Sequence, residues 1–356
     1  MLERIYKAQR SIDSACERLS RQINIMEVCG THTVAIFRSG IKSILPSTLK
    51  LISGPGCPVC VTDQSYIDAV LELSDRDDCL IATYGDMVRV PGKGGSLETK
   101  PTRANVMVVL SSEDALQLAK DNPEKNVVFV AVGFETTAPA TAVTVKEAAE
   151  QGIDNFFVLS GHKLVVPAMR ALLSQINNNI DGFLCPGHVS AIIGYGAFAE
   201  IVQDFARPCV VAGFEPVQII EGLAEICRQL SAGEAKVKSV YSAVVSEKGN
   251  IAAQKMIAEF FQPADGYWRG LGQITKSTLK LKDKYSRFDA FKQFGIIETP
   301  SGDTNGCRCG EVLCGLIDPS QCRLFQKSCT PQTPVGPCMV SSEGTCAAWA
   351  RYRPER

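Results

Sequence analysis

No charge of one sign dominates this 356-residue chain: 37 Lys and Arg stand against 38 Asp and Glu, a formal net charge of −1. That balance leaves no electrostatic footprint for a nucleic acid or an anionic membrane as partner. No run of 18 apolar residues occurs, which removes the ordinary membrane-spanning helix. Residues Met1 to Arg21 mix acidic, basic and apolar side chains without a continuous apolar stretch or a small-residue cleavage site. They do not read as a secretory leader, and a cytoplasmic location is expected. Low-complexity tracts are absent. Gly54-Pro-Gly56 is not followed by Lys-Ser/Thr, so there is no P-loop, and no G-x-G-x-x-G follows the first predicted strand. Histidine is scarce, with three in the whole chain.

Cysteine is the excess. There are 15, and seven lie between Cys307 and Cys346. In a reducing compartment thiols stay free, so clustered cysteines bind metal or exchange electrons rather than form structural bridges. The rest of the composition is ordinary, with 45% hydrophobic and 21% charged residues. A core can be built, and at about 150 residues per domain the length suits two to three of them.

The periodicity predicts an amphipathic helix over residues 1–20, then short apolar runs alternating with helical segments. Strands are expected at 23–28, 49–53, 80–84, 106–110, 127–132, 155–159, 182–184 and 208–213. Helices are expected at 63–74, 112–121, 138–151, 164–175, 189–205 and 216–230. Such alternation means βαβ units and parallel sheets. The expected fold class is α/β, with two parallel-sheet lobes and a small Cys-rich domain. The expected division is 21–125 for the first lobe and 126–245 for the second, with residues 1–20 and 246–356 forming the third unit. The phrases Val130-Ala-Val-Gly-Phe-Glu135 and Val210-Val-Ala-Gly-Phe-Glu215 echo each other, as two strand ends of one design would.

Ligands of open α/β sheets bind beyond the carboxyl ends of the strands, and the unusual residues fall there. Cys29-Gly-Thr-His32, Cys57-Pro-Val-Cys60, Gly133-Phe-Glu-Thr-Thr137, Ser160-Gly-His162 and Cys185-Pro-Gly-His188 all follow predicted strands, which points to a shared cleft. Cys57 and Cys60 form a C-x-x-C between a strand and a helix start, where a thiolate is favoured. They read as a redox pair, or as half of a zinc site whose other half is missing. Cys29 and His32 suit a metal ion, or a nucleophile with its base. The tail thiols Cys307, Cys309, Cys314, Cys322, Cys329, Cys338 and Cys346 lack the paired spacing of zinc fingers. Wide, irregular spacing favours an iron–sulfur cluster, with zinc and disulfides as alternatives.

Taken in order, the motifs Glu27-Val-Cys-Gly-Thr-His-Thr33, Gly54-Pro-Gly-Cys-Pro-Val-Cys-Val-Thr62, Gly133-Phe-Glu-Thr-Thr137 and Cys185-Pro-Gly-His-Val-Ser190 continue with Trp268-Arg-Gly-Leu-Gly272 and Cys307-Arg-Cys-Gly-Glu-Val312. Cys329-Thr-Pro and Pro334-Val-Gly-Pro-Cys-Met-Val-Ser-Ser-Glu-Gly-Thr-Cys346 complete the set. This series resembles the hydrogenase maturation factor HypD family over nearly the whole chain. The resemblance implies a scaffold that assembles the iron centre of nickel–iron hydrogenases, with its two cyanides and one carbon monoxide. It implies a small HypC-like chaperone as partner, a HypE-like cyanide donor, and a monomer in isolation. It further implies one 4Fe–4S cluster on Cys307, Cys322, Cys329 and Cys346, with Cys309 and Cys338 as a dithiol pair beside it. Exchange of roles between Cys307 and Cys309 stays open. Cys29 would hold the iron ion being decorated, with His32 beside it and Cys57 and Cys60 as a redox pair in the same cleft. Glu135 and His188 are further expected members of that site. Cys314 falls outside the family pattern.

Overall fold

The computed structural model describes residues 2–175, 178–299 and 306–352. Eleven strands are present among the described residues: β1 (Ile23–Glu27), β2 (Leu49–Ser53), β3 (Cys79–Thr83), β4 (Val106–Val108), β5 (Asn126–Gly133), β6 (Phe156–His162), β7 (Gly182–Pro186), β8 (Cys209–Ala212), β9 (Val237–Ser239), β10 (Phe261–Trp268) and β11 (Gly272–Leu281). Two parallel sheets form, with strand orders β2-β1-β7-β8-β9 and β4-β3-β5-β6. The fold is α/β with two parallel sheets and a Cys-rich C-terminal region, as the alternating pattern indicates.

Sheet membership does not follow the expected division at residue 126. The chain builds β1 and β2, crosses to complete the whole four-stranded sheet, and returns for β7, β8 and β9. The lobes are interleaved, because β1 pairs in parallel with β7 through Ile25↔Gly182, Met26↔Phe183 and Glu27↔Leu184. Apolar periodicity marks a strand but not its neighbour, so this long-range pairing had no sequence signal.

Two further pieces, both outside the parallel sheets, pack on the two lobes. The helix Leu2–Leu19 buries Ala8, Ile12, Ala15 and Cys16 in one cluster with Ile219, Ile220, Leu223 and Cys227 of the helix Pro216–Ser231. It belongs to the five-stranded lobe. A fully buried Ile contributes about 1.5–3 kcal/mol, so Ile12 alone is a firm anchor. The helix Ile251–Phe260 and the antiparallel β10–β11 hairpin pack on the four-stranded lobe, where Phe260, Phe261, Leu279 and Leu281 join Val127, Phe129 and Val158. Ser160 Oγ donates to the Leu279 carbonyl at 2.6 Å, fixing the hairpin on β6. Val237–Ser239 is a short edge strand, and residues 266–272 form the end and turn of the hairpin.

Local signals set the helix starts. Asp63 caps the helix Gln64–Ser74 through the Ser65 amide, and Ser111 with Asp114 forms a capping box at Ser112–Asp121. In the tail, short helices at Cys309–Leu313, Pro337–Val340 and Thr345–Tyr352 alternate with turns. The last of these packs on the helix Gly30–Arg38, with the Trp349 and Phe37 rings 5.6 Å apart. No helix among the described residues is long and apolar enough to cross a membrane.

Candidate functional site

Each sheet has a point where the strand order reverses, between β1 and β7 in one and between β3 and β5 in the other. Loops leaving such strands in opposite directions open a crevice. Here both crevices contribute to one cleft of about 560 Å³. The five-stranded lobe lines it with Cys29, Gly56, Pro58 and His188, the four-stranded lobe with Tyr84, Asp86, Phe134 and Thr137, and the tail with Ser341, Ser342 and Glu343.

Cys29 ends the β1 loop and caps the helix Gly30–Arg38 in extended conformation. The β1 and β2 ends lie side by side because Glu27 is registered with Ser53. Their loops then interlock: Gly30 N donates to the Gly56 carbonyl at 3.0 Å, and Gly54 N to the Glu27 carbonyl at 2.8 Å. A Cβ on Gly56 would collide with the backbone nitrogen and Cα of Cys29, so only glycine permits this approach. Burial pushes the Cys29 thiol up to about 11, against the opposing His32 backbone amide. A bare thiolate is therefore disfavoured here, and a bound cation that displaces the proton reverses the preference.

His32 lies beneath the cleft wall rather than on it. Its Nε2 donates to the Gly213 carbonyl at 3.0 Å, which makes Nε2 the protonated nitrogen. Nδ1 is buried with no hydrogen-bond partner, and burial lowers the pKa to about 4. The ring is neutral near pH 7. Phe214 links the two site histidines, with its ring centroid 4.8 Å from His32 and 4.1 Å from His188. The Gly-Phe-Glu echo thus puts an aromatic ring at the end of β5 and another at the end of β8: Phe134 on the cleft wall and Phe214 between the histidines.

Two expectations change. Glu135 is not on the cleft wall. Its Oε1 accepts from the Val165 amide at 2.9 Å, Oε2 is buried without a hydrogen-bond partner, and burial raises the carboxyl to about 7. The Glu side chain is drawn inward because it satisfies the start of the helix Val165–Leu173. His162 likewise stays in the core, with Nε2 3.1 Å from Thr141 Oγ1 and Nδ1 3.4 Å from Thr137 Oγ1. It holds a loop and does not share the cleft.

Cys57 and Cys60 form a disulfide with Cα atoms 5.3 Å apart. Both are buried, at 3% and 0% exposure. Pro58 starts the short helix Pro58–Val61 at the position where proline lacks no needed donor. On the tail side, Cys60 Sγ lies 4.0 Å from the Pro337 carbonyl, next to Cys338. Cys338 and Cys309 hold their sulfurs 2.9 Å apart. Hydrogen bonds from Cys307 and Cys338 hold the Cys309 thiol well below the usual range, and Arg269 adds to this against burial. Cys338 is pushed up by its contacts with Cys309 and Cys346.

Cys307, Cys309, Cys322, Cys329, Cys338 and Cys346 line one small cavity whose remaining wall includes Val312, Leu324, Phe325 and Met339. Among the described residues, no three His, Cys, Asp or Glu converge as ligands of a single ion would. Six thiols around one largely apolar cavity are a donor set that fits a polynuclear cluster, in which each iron takes its own thiolate. The Val335 amide donates to Cys329 Sγ at 3.4 Å, a contact of the kind that tunes cluster sulfurs. A Cβ on Gly336 would collide with Cys307 Sγ. Cys314 does not line this cavity and donates to the Gly270 carbonyl at 3.4 Å.

Sequence reasoning did not select Asp86, Thr31 or Glu343 as site residues. Asp86 Oδ2 accepts from Ser341 Oγ at 3.0 Å and the Ser342 amide at 3.1 Å. Thr31 Oγ1 donates to Glu343 Oε1 at 2.6 Å. These bonds tie the tail to both lobes at the cleft mouth. Ser341, Ser342 and Glu343 lay in a quoted motif, whereas Asp86 carried no signal at all.

Known proteins match this chain over almost its whole length. A family model described as "HypD: Hydrogenase formation hypA family" matches residues 3–353. "Hydrogenase maturation factor HypD" of Escherichia coli is 47% identical over 335 residues, covering 94% of this chain and 90% of that protein. "Hydrogenase expression/formation protein HupD" of Azotobacter chroococcum is 41% identical over 345 residues, covering 95% and 91%. "Hydrogenase maturation factor HypD" of Azotobacter vinelandii is 40% identical over 344 residues, covering 94% and 91%. With a match across almost every residue and relatives at this identity, the chain belongs to the HypD family of hydrogenase maturation factors.

Proposed function

We propose that the chain is the scaffold on which the Fe(CN)2CO centre of nickel–iron hydrogenases is assembled. The observation that carries this reading is the arrangement of sulfur. Cys29 lines a cleft between two switch points, the Cys57–Cys60 disulfide lies beneath it, and the Cys309/Cys338 pair lies behind that. Iron enters as cargo, held by the Cys29 thiolate together with a small HypC-like chaperone, and cyanide arrives from a HypE-like donor. A soft thiolate suits low-spin iron with strong-field ligands. His188 stands at the cleft wall, and His32, neutral and fixed by Gly213, lies buried behind it. Neither member of the buried thiol pair needs to leave the protein to meet its reductant.

Cys307, Cys322, Cys329 and Cys346 would hold a 4Fe–4S cluster, which supplies single electrons when bound. The chain's own part is thiol chemistry. The Cys309/Cys338 dithiol reduces the Cys57–Cys60 disulfide by exchange, two electrons at a time.

The alternative is a cluster-dependent oxidoreductase acting on disulfides of other proteins, and the line of thiol pairs favours it. Burial argues against it, because Cys57 and Cys60 at 3% and 0% exposure offer no sulfur to an external protein. Complementation separates the two. In cells lacking their own copy, the chain restores nickel–iron hydrogenase activity and Cys29→Ala does not. Full restoration by Cys29→Ala overturns the scaffold reading.

A further inference from the structure

A buried guanidinium sits where the two thiol pairs meet. Arg269 is 4% exposed and belongs to the turn between β10 and β11. Its backbone amide donates to the Val61 carbonyl at 2.9 Å. Its Nε donates to the Thr62 carbonyl at 3.1 Å, and Nη2 donates to Gln64 Oε1 at 3.4 Å. Val61 and Thr62 end the segment that carries Cys57 and Cys60, and carbonyls at such an end have no partner within their own helix.

The other face of the same turn meets the cluster-side helix. Gly270 has φ +79°, and a Cβ there would collide with the Cα and carbonyl of Gly310, the residue after Cys309. The Cys314 thiol donates to the Gly270 carbonyl. The turn is itself anchored: the Trp268 indole donates to Ser277 Oγ at 2.8 Å, and Lys163 Nζ donates to the Tyr267 carbonyl at 2.7 Å. One turn is therefore fastened to the Cys57–Cys60 segment on one side and to the Cys309 helix on the other. Burying a guanidinium is costly unless its donors are satisfied, and a neutral side chain could cap one carbonyl. An arginine fork reaches several acceptors in one fixed plane, which is what a splint between two segments requires.

We propose that Arg269 is a positioning residue for thiol–disulfide exchange between the Cys309/Cys338 pair and the Cys57–Cys60 disulfide. The inference rests on the exchange reading given above. In the exchange, one sulfur of the Cys309/Cys338 pair attacks Cys60 and the Cys57–Cys60 bond breaks, releasing Cys57 as thiolate. The second sulfur of the pair then attacks the first and releases Cys60. Two electrons and two protons have moved from one dithiol to the other, and no outside oxidant or reductant is consumed. Attack requires three sulfurs nearly in line, so a small shift of the Cys57–Cys60 segment against the Cys309 helix slows it steeply.

The test uses the full chain with its cluster loaded, prepared anaerobically and reduced throughout. One equivalent of diamide is added, and thiols are trapped with iodoacetamide over time. The two disulfides are then located by peptide mass spectrometry. In the wild type a single disulfide distributes rapidly between the two pairs, and in Cys338→Ser it stays at Cys57–Cys60. Arg269→Gln slows redistribution about tenfold or more, while reduction of Cys57–Cys60 by a small water-soluble phosphine is no slower than in the wild type. Arg269→Lys, which keeps the charge and loses the fork, is also slowed and serves if the glutamine variant does not fold. Redistribution at the wild-type rate in both Arg269 variants overturns the inference. A wild-type disulfide that never moves, matching Cys338→Ser, overturns the exchange reading beneath it instead.

Discussion

The Cys60 sulfur lies 4.0 Å from the carbonyl oxygen of Pro337, the residue that precedes Cys338. Cys60 is in the short helix that follows β2, and Pro337 is deep in the Cys-rich tail. Their contact puts the disulfide beneath the cleft against the thiols that would serve it. The tail reaches this position because Ser341 and Ser342 grip Asp86 on one lobe and Glu343 grips Thr31 on the other.

The cavity that six thiols share excludes Cys314. Anaerobically purified protein is expected to be brown, with about four iron and four sulfide per chain. Cys314→Ser keeps that inventory, whereas Cys329→Ser loses most of it. Colourless protein that contains zinc contradicts the cluster.

Cys57 lies outside the six-thiol cavity. Cys57→Ser is therefore expected to retain iron and sulfide while abolishing hydrogenase maturation in complementation. Loss of the cluster in this variant would show that the two sites are not separate.

Gly56 tests the fit between the two loops. Gly56→Ala drives a methyl group into the Cys29 backbone. Overpacking of this kind costs about 1–3 kcal/mol, and the shift moves the Cys29 sulfur. Unfolding curves should show that loss of stability, and iron held at the cleft should fall while cluster iron stays. Unchanged stability and cleft iron would mean that the loops are looser than their hydrogen bonds indicate.

Glu135 gives a pH dependence of definite sign. Burial raises its folded pKa from 4.5 to about 7, so the folded state holds the proton more tightly than the unfolded chain. Its contribution is fully present below about pH 4.5 and is lost as pH rises through about 7. Glu135→Gln keeps an acceptor for the Val165 amide and removes the titration. Denaturant unfolding should show the variant gaining on the wild type between these pH values, by at most on the order of 3 kcal/mol. His162 runs the other way. Its folded pKa is lowered by burial from 6.5 to about 3, so its contribution is present above 6.5 and lost as pH falls. A Glu135→Gln difference that does not vary with pH would contradict the buried, unpaired Oε2.

Much of the architecture was legible in the alternation of short apolar runs and helices, since the central parallel strands are buried on both faces and read as continuous apolar runs. β5 and β6 are examples, buried over almost their full lengths. Their partners were not legible. Nothing local tells Ile25 to pair with Gly182 rather than with a strand close by in sequence. The same limit applied to the site. Cys29, Cys57 and His188 stood out because their residue types are rare at strand ends and share motifs. Glu135 stood out for the same reason, yet it turns inward to the Val165 amide. Asp86 and Arg269 act across gaps of more than 200 residues, on Ser341 and on Thr62. Their chemistry exists only after the lobes, hairpin and tail have packed.

The central claim is that Cys29 holds the iron that receives cyanide and carbon monoxide. It is tested by infrared spectroscopy of the anaerobic complex with the small HypC-like chaperone. The wild-type complex is expected to show stretching bands of metal-bound cyanide and carbon monoxide, and Cys29→Ala, with its cluster iron unchanged, is expected to show none. Bands of full intensity in Cys29→Ala would contradict the account.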